Sequence, residues 1–181
     1  MTPVAITGLL PDEINTTFSI KEKFRGKQIF RWVSNGVESF SEMTNIPQQL
    51  REQLEKDAVL RCSEISKVLK DPDGTIKLQI RLFDDRCIET VLLTDEEDRK
   101  TACVSCQVGC AMACAFCQTG KLGFARNLTA AEIVEEFFHL EKIAGKLDNI
   151  VFMGMGEPML NLPEIRKAIQ IYRTRKAEIF P

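Results

Sequence analysis

Cysteines crowded into one short segment are the feature of this sequence best suited to chemistry. The chain has 181 residues and seven cysteines, five of them between residues 103 and 117. Cys110, Cys114 and Cys117 have the spacing C-x3-C-x2-C, which allows three thiolates to hold three corners of a [4Fe–4S] cluster. Such clusters ordinarily take four cysteines, so three leave one iron open to another ligand. The spacing therefore predicts a cluster that takes part in a reaction.

Zinc is the alternative metal for the same segment. Cys103 and Cys106 form one C-x2-C pair, and a second pair lies at Cys114 and Cys117. Four thiolates suit the tetrahedral coordination of zinc. The gap between the pairs is short for a zinc ribbon, and zinc would leave Cys110 without a role. From the spacing alone, both metals stay open.

A second candidate site is a glycine-rich turn further along the chain. Residues 154–158 read Gly-Met-Gly-Glu-Pro and follow the apolar run 150–153. Glycines let a backbone approach a ligand closely, and Glu157 can accept hydrogen bonds from an ammonium group. Ligands of α/β proteins bind at the carboxyl ends of parallel strands, which is where this turn is predicted to lie.

Three regions of different hydrophobic pattern surround these motifs. Residues 1–60 show helical periodicity and predict a small helical domain. Residues 61–98 alternate with period two, which predicts an antiparallel β meander or linker. Residues 99–181 predict alternating strands and helices, and hence parallel strands.

Individual elements follow from local signals. Strict alternation predicts strands at 76–82 and 87–93. Thr129 and Glu132 form a capping box that opens a helix. The apolar run within 149–153 predicts a buried strand.

The composition is that of a globular protein without a membrane span. Apolar residues make up 44% and charged residues 28%, and the formal net charge is −2. No apolar run could cross a membrane and no export signal is evident, so we expect a cytoplasmic location. Any RNA contact must use local patches, such as the basic cluster Lys21, Lys23, Arg25, Lys27 and Arg31.

Taken together, the motifs resemble the radical S-adenosylmethionine superfamily and, within it, the RlmN/Cfr family of RNA methyltransferases. The resemblance extends from residue 10 to about residue 165, and its most specific stretches are residues 24–32, 103–117, 123–128 and 152–161. It implies an α/β fold in which a small helical domain of an RNA-binding type, at residues 1–60, and a β meander precede an incomplete radical S-adenosylmethionine (βα) partial barrel.

The resemblance implies methylation of adenine in RNA. The RlmN-type branch, which modifies C2 of adenine in 23S rRNA and tRNA, fits better than the branch that modifies C8. C2 is electron-poor, so ordinary methyl transfer fails there and a carbon radical is needed. The implied route uses one S-adenosylmethionine to methylate a cysteine near the C-terminus and a second to activate that methyl group. A flavodoxin or ferredoxin is the expected electron donor, and the protein is expected to be monomeric.

The resemblance also assigns site residues. It makes Cys110, Cys114 and Cys117 the ligands of a [4Fe–4S] cluster and Gly156 and Glu157 the contacts to S-adenosylmethionine. Phe116 is expected to pack near the adenine moiety of that cofactor, with a place in the hydrophobic core as the alternative.

Two further residues match catalytic roles in the family. Glu89 matches the glutamate that accepts the C2 proton, with an ordinary exposed strand carboxylate as the alternative. Cys103 matches the cysteine that releases the product by forming a disulfide bond, with a structural thiol as the alternative. The chain has one residue more than expected between them.

Two features depart from the family pattern. Cys106 stands where the family usually has serine. The chain also covers only about two of the six βα units and lacks the methyl-carrying cysteine, and residues 173–181 no longer follow the pattern. We therefore expect an incomplete barrel and an inactive chain. A non-catalytic zinc-binding module that associates with RNA and a different radical enzyme, such as an activase, are the alternative functions.

Overall fold

The computed structural model describes residues 3–179 of the chain. Residues 1, 2, 180 and 181, at the outer ends of the first and third predicted regions, lie outside the described residues. The helices are α1 Pro11–Thr17, α2 Lys23–Ser34, α3 Gln48–Asp57, α4 Gln118–Lys121, α5 Ala130–Ala144 and α6 Leu162–Ile179. The strands are β1 Val4–Ala5, β2 Ala58–Val59, β3 Ser63–Lys70, β4 Ile76–Leu82, β5 Cys87–Thr94, β6 Lys100–Cys103, β7 Gln107–Gly109, β8 Phe124–Asn127 and β9 Asn149–Val151.

A five-stranded sheet in the order β3-β4-β5-β6-β9 forms the centre of the fold. The pairs β3–β4, β4–β5 and β5–β6 are antiparallel. The pair β6–β9 is parallel, with Ala102 opposite Ile150. The two strands predicted from alternation are present as β4 and β5. Leu78 and Ile80 on β4 and Ile88 on β5 are fully buried, so one face of each strand packs in the core. The mixed α/β architecture predicted from the sequence is confirmed.

Helix α5 connects the parallel strands and begins where the capping box predicts. The Thr129 hydroxyl accepts a hydrogen bond from the backbone N–H of Glu132, and the Glu132 carboxylate accepts one from the backbone N–H of Thr129. Gly145 ends the helix with a φ of 78°, a conformation that glycine adopts without steric cost. The helix is therefore fixed at both ends by local sequence.

The prediction of a buried strand over residues 149–153 is wrong in extent and in burial. Strand β9 ends at Val151 and is only half-buried, and Met153 is 79% exposed. Within the described part of the chain, β9 pairs with β6 alone. A parallel strand is buried on both faces only where neighbouring strands and helices cover it. Its position at the edge of the sheet therefore leaves the apolar residues of β9, and Met153 after it, accessible to solvent.

The amino-terminal helices pack on one another, and α2 also packs on α6. Ile14, Phe30 and Leu54 belong to their buried core. A 3₁₀ turn at Ile6–Gly8 lies against the first turn of α5, and a Cβ at residue 8 would lie 2.9 Å from the Cβ of Ala131. Among the described residues, no helix is long and apolar enough to cross a membrane.

Arg126 joins three segments around the cysteine loop. Its guanidinium donates to both carboxylate oxygens of Asp84, at 2.8 and 3.0 Å, and to both of Glu132, at 2.7 and 2.9 Å. Asp84 lies in the turn between β4 and β5, and the Glu132 side chain, at the start of α5, is fully buried. The end of the loop, on β8, is thereby held to the sheet and to α5.

Replacing Asp84 by asparagine is expected to destabilise the fold in a pH-dependent way. Hydrogen bonds from Arg126 hold the pKa of Asp84 below its usual value. A carboxylate with a lowered folded-state pKa stabilises the fold above its unfolded pKa of about 3.9, and this contribution is lost as pH falls through the folded pKa. D84N should lower the free energy of unfolding by about 1–3 kcal/mol near neutral pH.

Urea denaturation near neutral pH and in acid measures this difference. The matched control is E96Q, which neutralises an exposed carboxylate in a loop. The difference between wild type and D84N should shrink in acid, and an equal difference at every pH would contradict the assignment.

Candidate functional site

The three cysteines of the C-x3-C-x2-C motif lie on one loop between β7 and α4. Cys110 follows β7 directly, and its backbone N–H donates to the Gly123 carbonyl at 3.0 Å. Cys117 is the residue before α4, and its N–H donates to the Cys114 carbonyl at 3.0 Å. All three side chains are half-buried. The loop thus holds three thiols close to the surface on a folded backbone.

The beginning of α4 favours the thiolate form of Cys117. Backbone N–H groups of Gly120 and Thr119 donate towards its sulfur and lower its pKa. Thiolates rather than thiols bind metals, so the donor set fits the cluster that the resemblance implies. Among the described residues, no three Cys, His, Asp or Glu side chains converge closely enough to hold a single metal ion.

Phe116, the residue before Cys117, is 92% exposed. The alternative that it belongs to the hydrophobic core is therefore wrong. An exposed aromatic ring beside a ligand-binding loop is available to a cofactor, and its contact with the adenine moiety stays a prediction.

The Gly-Met-Gly-Glu-Pro turn lies directly against the segment that leads into the cysteine loop. The two segments share short hydrogen bonds between residues 104–107 and 154–157. The donors and acceptors are Gly154 N to Val104 O at 3.0 Å, Cys106 N to Met155 O at 2.8 Å, Met155 N to Ser105 Oγ at 2.9 Å and Glu157 N to Gln107 Oε1 at 3.0 Å. The two segments, which are 50 positions apart in the chain, therefore form one unit.

This contact leaves no space for a side chain at the two glycines. A Cβ at residue 154 would lie 2.7 Å from the Val104 carbonyl oxygen. A Cβ at residue 156 would lie 2.5 Å from the Cβ of Gln107, and Gly156 has a φ of 100°. Only glycine satisfies both the close approach and the left-handed backbone.

Glu157 has one carboxylate oxygen available for a ligand. Its Oε1 accepts from the backbone N–H of Met159 at 3.1 Å, which closes a short 3₁₀ turn. Its Oε2 accepts no hydrogen bond from any residue that the structure describes. A half-buried carboxylate with a free oxygen can bind an ammonium group.

Glu89 and Cys103 lie on the same face of the sheet. Cys103 is opposite Val91 in the β5–β6 ladder, and Glu89 is two residues further along β5. The alternate residues Ile88 and Thr90 are fully buried, so Glu89 and Cys103 project from the other face. The structure therefore places the two predicted catalytic residues where one ligand could reach both.

The surroundings of these two side chains differ. Glu89 is exposed, and its Oε2 lies 3.2 Å from the Lys77 ammonium nitrogen. Cys103 is half-buried, and burial raises the pKa of its thiol. All seven cysteines are free thiols, so a disulfide at Cys103 stays a prediction.

Cys106 is a buried residue in this arrangement. It is 2% exposed, and burial, with a smaller contribution from Glu136, raises the pKa of its thiol to about 12. The structure therefore accommodates Cys106 as a small core residue.

Sequence analysis missed the polar side chains that hold the site together. The Ser105 hydroxyl donates to the Glu89 carbonyl at 2.6 Å, and the Ser105 N–H donates to the buried Glu136 carboxylate at 2.9 Å. The Asn161 amide donates to the carbonyls of Cys106 and Leu128, at 2.8 and 2.9 Å. Polar residues inside otherwise apolar stretches are the one signal that could have identified them.

Comparisons with known proteins agree with this geometry. Residues 15–60 match a family model described as the ribosomal RNA large subunit methyltransferase N-terminal domain, and residues 104–180 match the radical SAM superfamily. The crystal structure of a radical SAM methyltransferase from Sphaerobacter thermophilus superposes with a TM-score of 0.84 at 37% identity. The match covers 94% of this chain and 52% of that one.

Curated relatives give the same result. A probable dual-specificity RNA methyltransferase RlmN from Treponema denticola is 62% identical, with 92% of this chain and 48% of the relative covered. The one from Treponema pallidum (strain Nichols) is 55% identical over 92% of this chain and 49% of the relative. A dual-specificity RNA methyltransferase RlmN from Oleidesulfovibrio alaskensis is 44% identical over 92% and 49%. The chain spans about half the length of these relatives.

Alanine at Gly156 is expected to separate the two loops. Gly74 provides a matched control, because its φ of 87° is similar but nothing lies within 4 Å of a Cβ there. G74A should cost about 1 kcal/mol of unfolding free energy through backbone strain, and G156A about 1–3 kcal/mol more through overpacking. Urea denaturation measures both, and equal costs would show that the contact is not tight.

Alkylation of the reduced, metal-free protein should modify Cys117 faster than Cys106. The lowered pKa of Cys117 gives more thiolate near neutral pH, whereas the Cys106 thiol stays protonated until the pH approaches its pKa of about 12. Mass spectrometry after iodoacetamide treatment gives each rate, with the exposed Cys87 as the reference thiol. Comparable rates at Cys106 and Cys117 would contradict these environments.

Proposed function

Because the chain belongs to the RlmN family of radical SAM proteins, we propose that it binds a [4Fe–4S] cluster and S-adenosylmethionine for methylation of C2 of adenine in 23S rRNA and tRNA. The observation that carries the proposal is the direct contact between the Gly-Met-Gly-Glu-Pro turn and residues 104–107, the segment that leads into the three-cysteine loop. Neither motif alone specifies this chemistry, but together they provide a metal ligand set beside an acceptor for an ammonium group.

The thiolates of Cys110, Cys114 and Cys117 would hold the cluster and leave one iron for the amino acid part of S-adenosylmethionine. When bound, the cluster supplies the electron that cleaves the sulfonium of this cofactor. The free Oε2 of Glu157 would accept from the cofactor's ammonium group. Gly156 allows the turn to stay close to this position.

Glu89 and Cys103 would act on the substrate from the shared face of the sheet. Glu89 would accept the proton that leaves C2 of adenine, with Lys77 holding the carboxylate in place before the substrate arrives. Cys103 would attack the sulfur of the methyl-carrying cysteine that the resemblance implies, so that an S–S bond forms as the bond from that sulfur to the transferred carbon breaks, and the electron pair of the broken bond leaves with the product, whose new methyl group takes up a proton. The raised pKa of Cys103 means that the thiol must lose its proton as it attacks.

The partners we propose follow from the same assignment. The match of residues 15–60 to a ribosomal RNA methyltransferase domain supports RNA as the substrate class. The basic residues of α2, among them Lys23 and Lys27, are exposed on that part of the chain. A flavodoxin or ferredoxin would supply the electron to a monomeric protein.

Anaerobic reconstitution with iron and sulfide tests the cluster. The wild-type chain should become brown, bind about four irons and four sulfides, and change its electron paramagnetic resonance spectrum on adding S-adenosylmethionine. C110A, C114A and C117A should each lose most of the iron, because each removes one ligand. C87A and C106A are the matched controls and should keep it.

Two results would overturn the proposal. One is a colourless protein that binds one zinc, which would favour the zinc-binding module. The other is retention of colour and iron by the three ligand variants.

A further inference from the structure

A second group of charged side chains surrounds a cavity at the junction of the amino-terminal helices with α5 and α6. This junction cavity has a volume of about 580 Å³. Its lining includes Asn35, Glu38, Arg61, Phe138, Lys142 and Arg175. These residues come from four separate parts of the chain, and the mechanism proposed above uses none of them.

Two arginines in the junction cavity flank the same aromatic ring. The guanidinium carbon of Arg175 lies 4.5 Å from the centroid of the Phe138 ring, and that of Arg61 lies 5.1 Å from it. The ring attracts both cations, but it cannot neutralise them, and burial lowers the pKa of Arg61. An anion placed between the guanidinium groups would relieve their mutual repulsion.

The charges that line the cavity do not cancel, because three cations, Arg61, Lys142 and Arg175, face two carboxylates, Glu38 and Glu141. Arg175 forms an ion pair with Glu141, and the Lys142 ammonium lies 3.7 Å from the Glu38 carboxylate. Among the described residues, no carboxylate lies within ion-pair distance of Arg61, whose Nη1 donates to the carbonyl of Leu60 at 2.6 Å.

The remaining titratable groups nearby are Glu135 and His139. The buried Glu135 attracts Arg61 but lies outside the lining, where it accepts hydrogen bonds from the Thr7 hydroxyl and from the backbone N–H of Cys62. Burial lowers the pKa of His139 to about 4, so this side chain is neutral near pH 7. The lining of the junction cavity therefore presents one more cation than carboxylates.

A second cavity adjoins the junction cavity on the basic side of α2. It has a volume of about 340 Å³, is lined by Lys27, Trp32, Asn45 and neighbouring residues, and shares Asn35 with the first. Cations therefore line two adjacent cavities, Lys27 in one and Arg61 and Arg175 in the other. An extended ligand with several negative charges could occupy both, whereas a single small anion could not.

We propose that the two cavities form one groove that binds a strand of RNA through its phosphate groups, with the deepest phosphate held by Arg61 and Arg175. The choice of RNA rests on the proposed function. Arginine forks bind phosphate oxygens in pairs. Because the Phe138 ring is already flanked by the arginines, bases are not stacked on it, and contacts to phosphate alone do not depend on sequence.

Binding of a fluorescently labelled RNA hairpin to the chain at several salt concentrations tests this groove. R61Q should weaken binding by about five- to tenfold. It should also reduce the slope of log affinity against log salt by about 0.7–0.9, the value for one lost phosphate contact. R61K should keep most of the slope, because the charge remains. K67Q, which removes an exposed cation from β3, is the matched control.

Thermal unfolding of R61Q establishes that the variant is folded. If it is not, K27Q carries the test, because it removes an exposed cation from the second cavity and should also lower the salt slope relative to K67Q. Equal affinity and slope for R61Q and K67Q would overturn the groove, as would the absence of RNA binding by the wild type. Protection of the wild type against thermal unfolding by millimolar inorganic phosphate, lost in R61Q while RNA binding is unchanged, would also overturn it in favour of a small-anion site.

The groove and the proposed function can fail separately. R61Q should reconstitute its cluster as the wild type does, because Arg61 is outside the cysteine loop. Loss of RNA binding in R61Q from a chain that takes up no iron would support the groove and reject the radical chemistry.

Discussion

The direct contact of two backbone segments, 104–107 and 154–157, is the constraint on which the site depends. Each segment satisfies hydrogen-bonding groups of the other, and no side chain separates them. Buried backbone N–H and C=O groups must find partners. This pairing therefore fixes the position of the Gly-Met-Gly-Glu-Pro turn relative to the segment that leads into the cysteine loop. It extends the parallel β6–β9 pairing beyond the end of both strands.

Three glutamates of α5 hold the surrounding elements in place. Glu132, Glu135 and Glu136 are all buried, although carboxylates are rarely buried without partners. Each is bonded to a different part of the chain: Glu132 to Arg126 on β8, Glu135 to Thr7, Cys62 and Ser63, and Glu136 to Ser105. Burial raises the pKa of Glu135 and Glu136. One helix therefore connects the amino-terminal helices, the sheet and the cysteine loop.

These buried carboxylates explain why α5 differs from an ordinary amphipathic helix. Its sequence suggests one apolar face with the glutamates turned to solvent, yet every residue from 130 to 137 is buried. Other elements surround its first two turns: the sheet, the 3₁₀ turn at Ile6–Gly8 and α6. Polar side chains then stay in the interior because each meets a specific donor, and such contacts favour one arrangement of the elements over others.

Sequence alone determined the local features of this protein. Alternation of apolar residues defined β4 and β5, the capping box defined the start of α5, and the cysteine spacing with the Gly-Glu-Pro turn indicated the radical S-adenosylmethionine superfamily, because each of these signals acts within a few residues. Only the tertiary structure decided that β9 is an exposed edge, that Cys106 is buried, that Phe116 is exposed and that Arg61 and Arg175 share one ring. Burial and pairing depend on residues distant in the chain, and a single sequence carries no direct record of which of them meet.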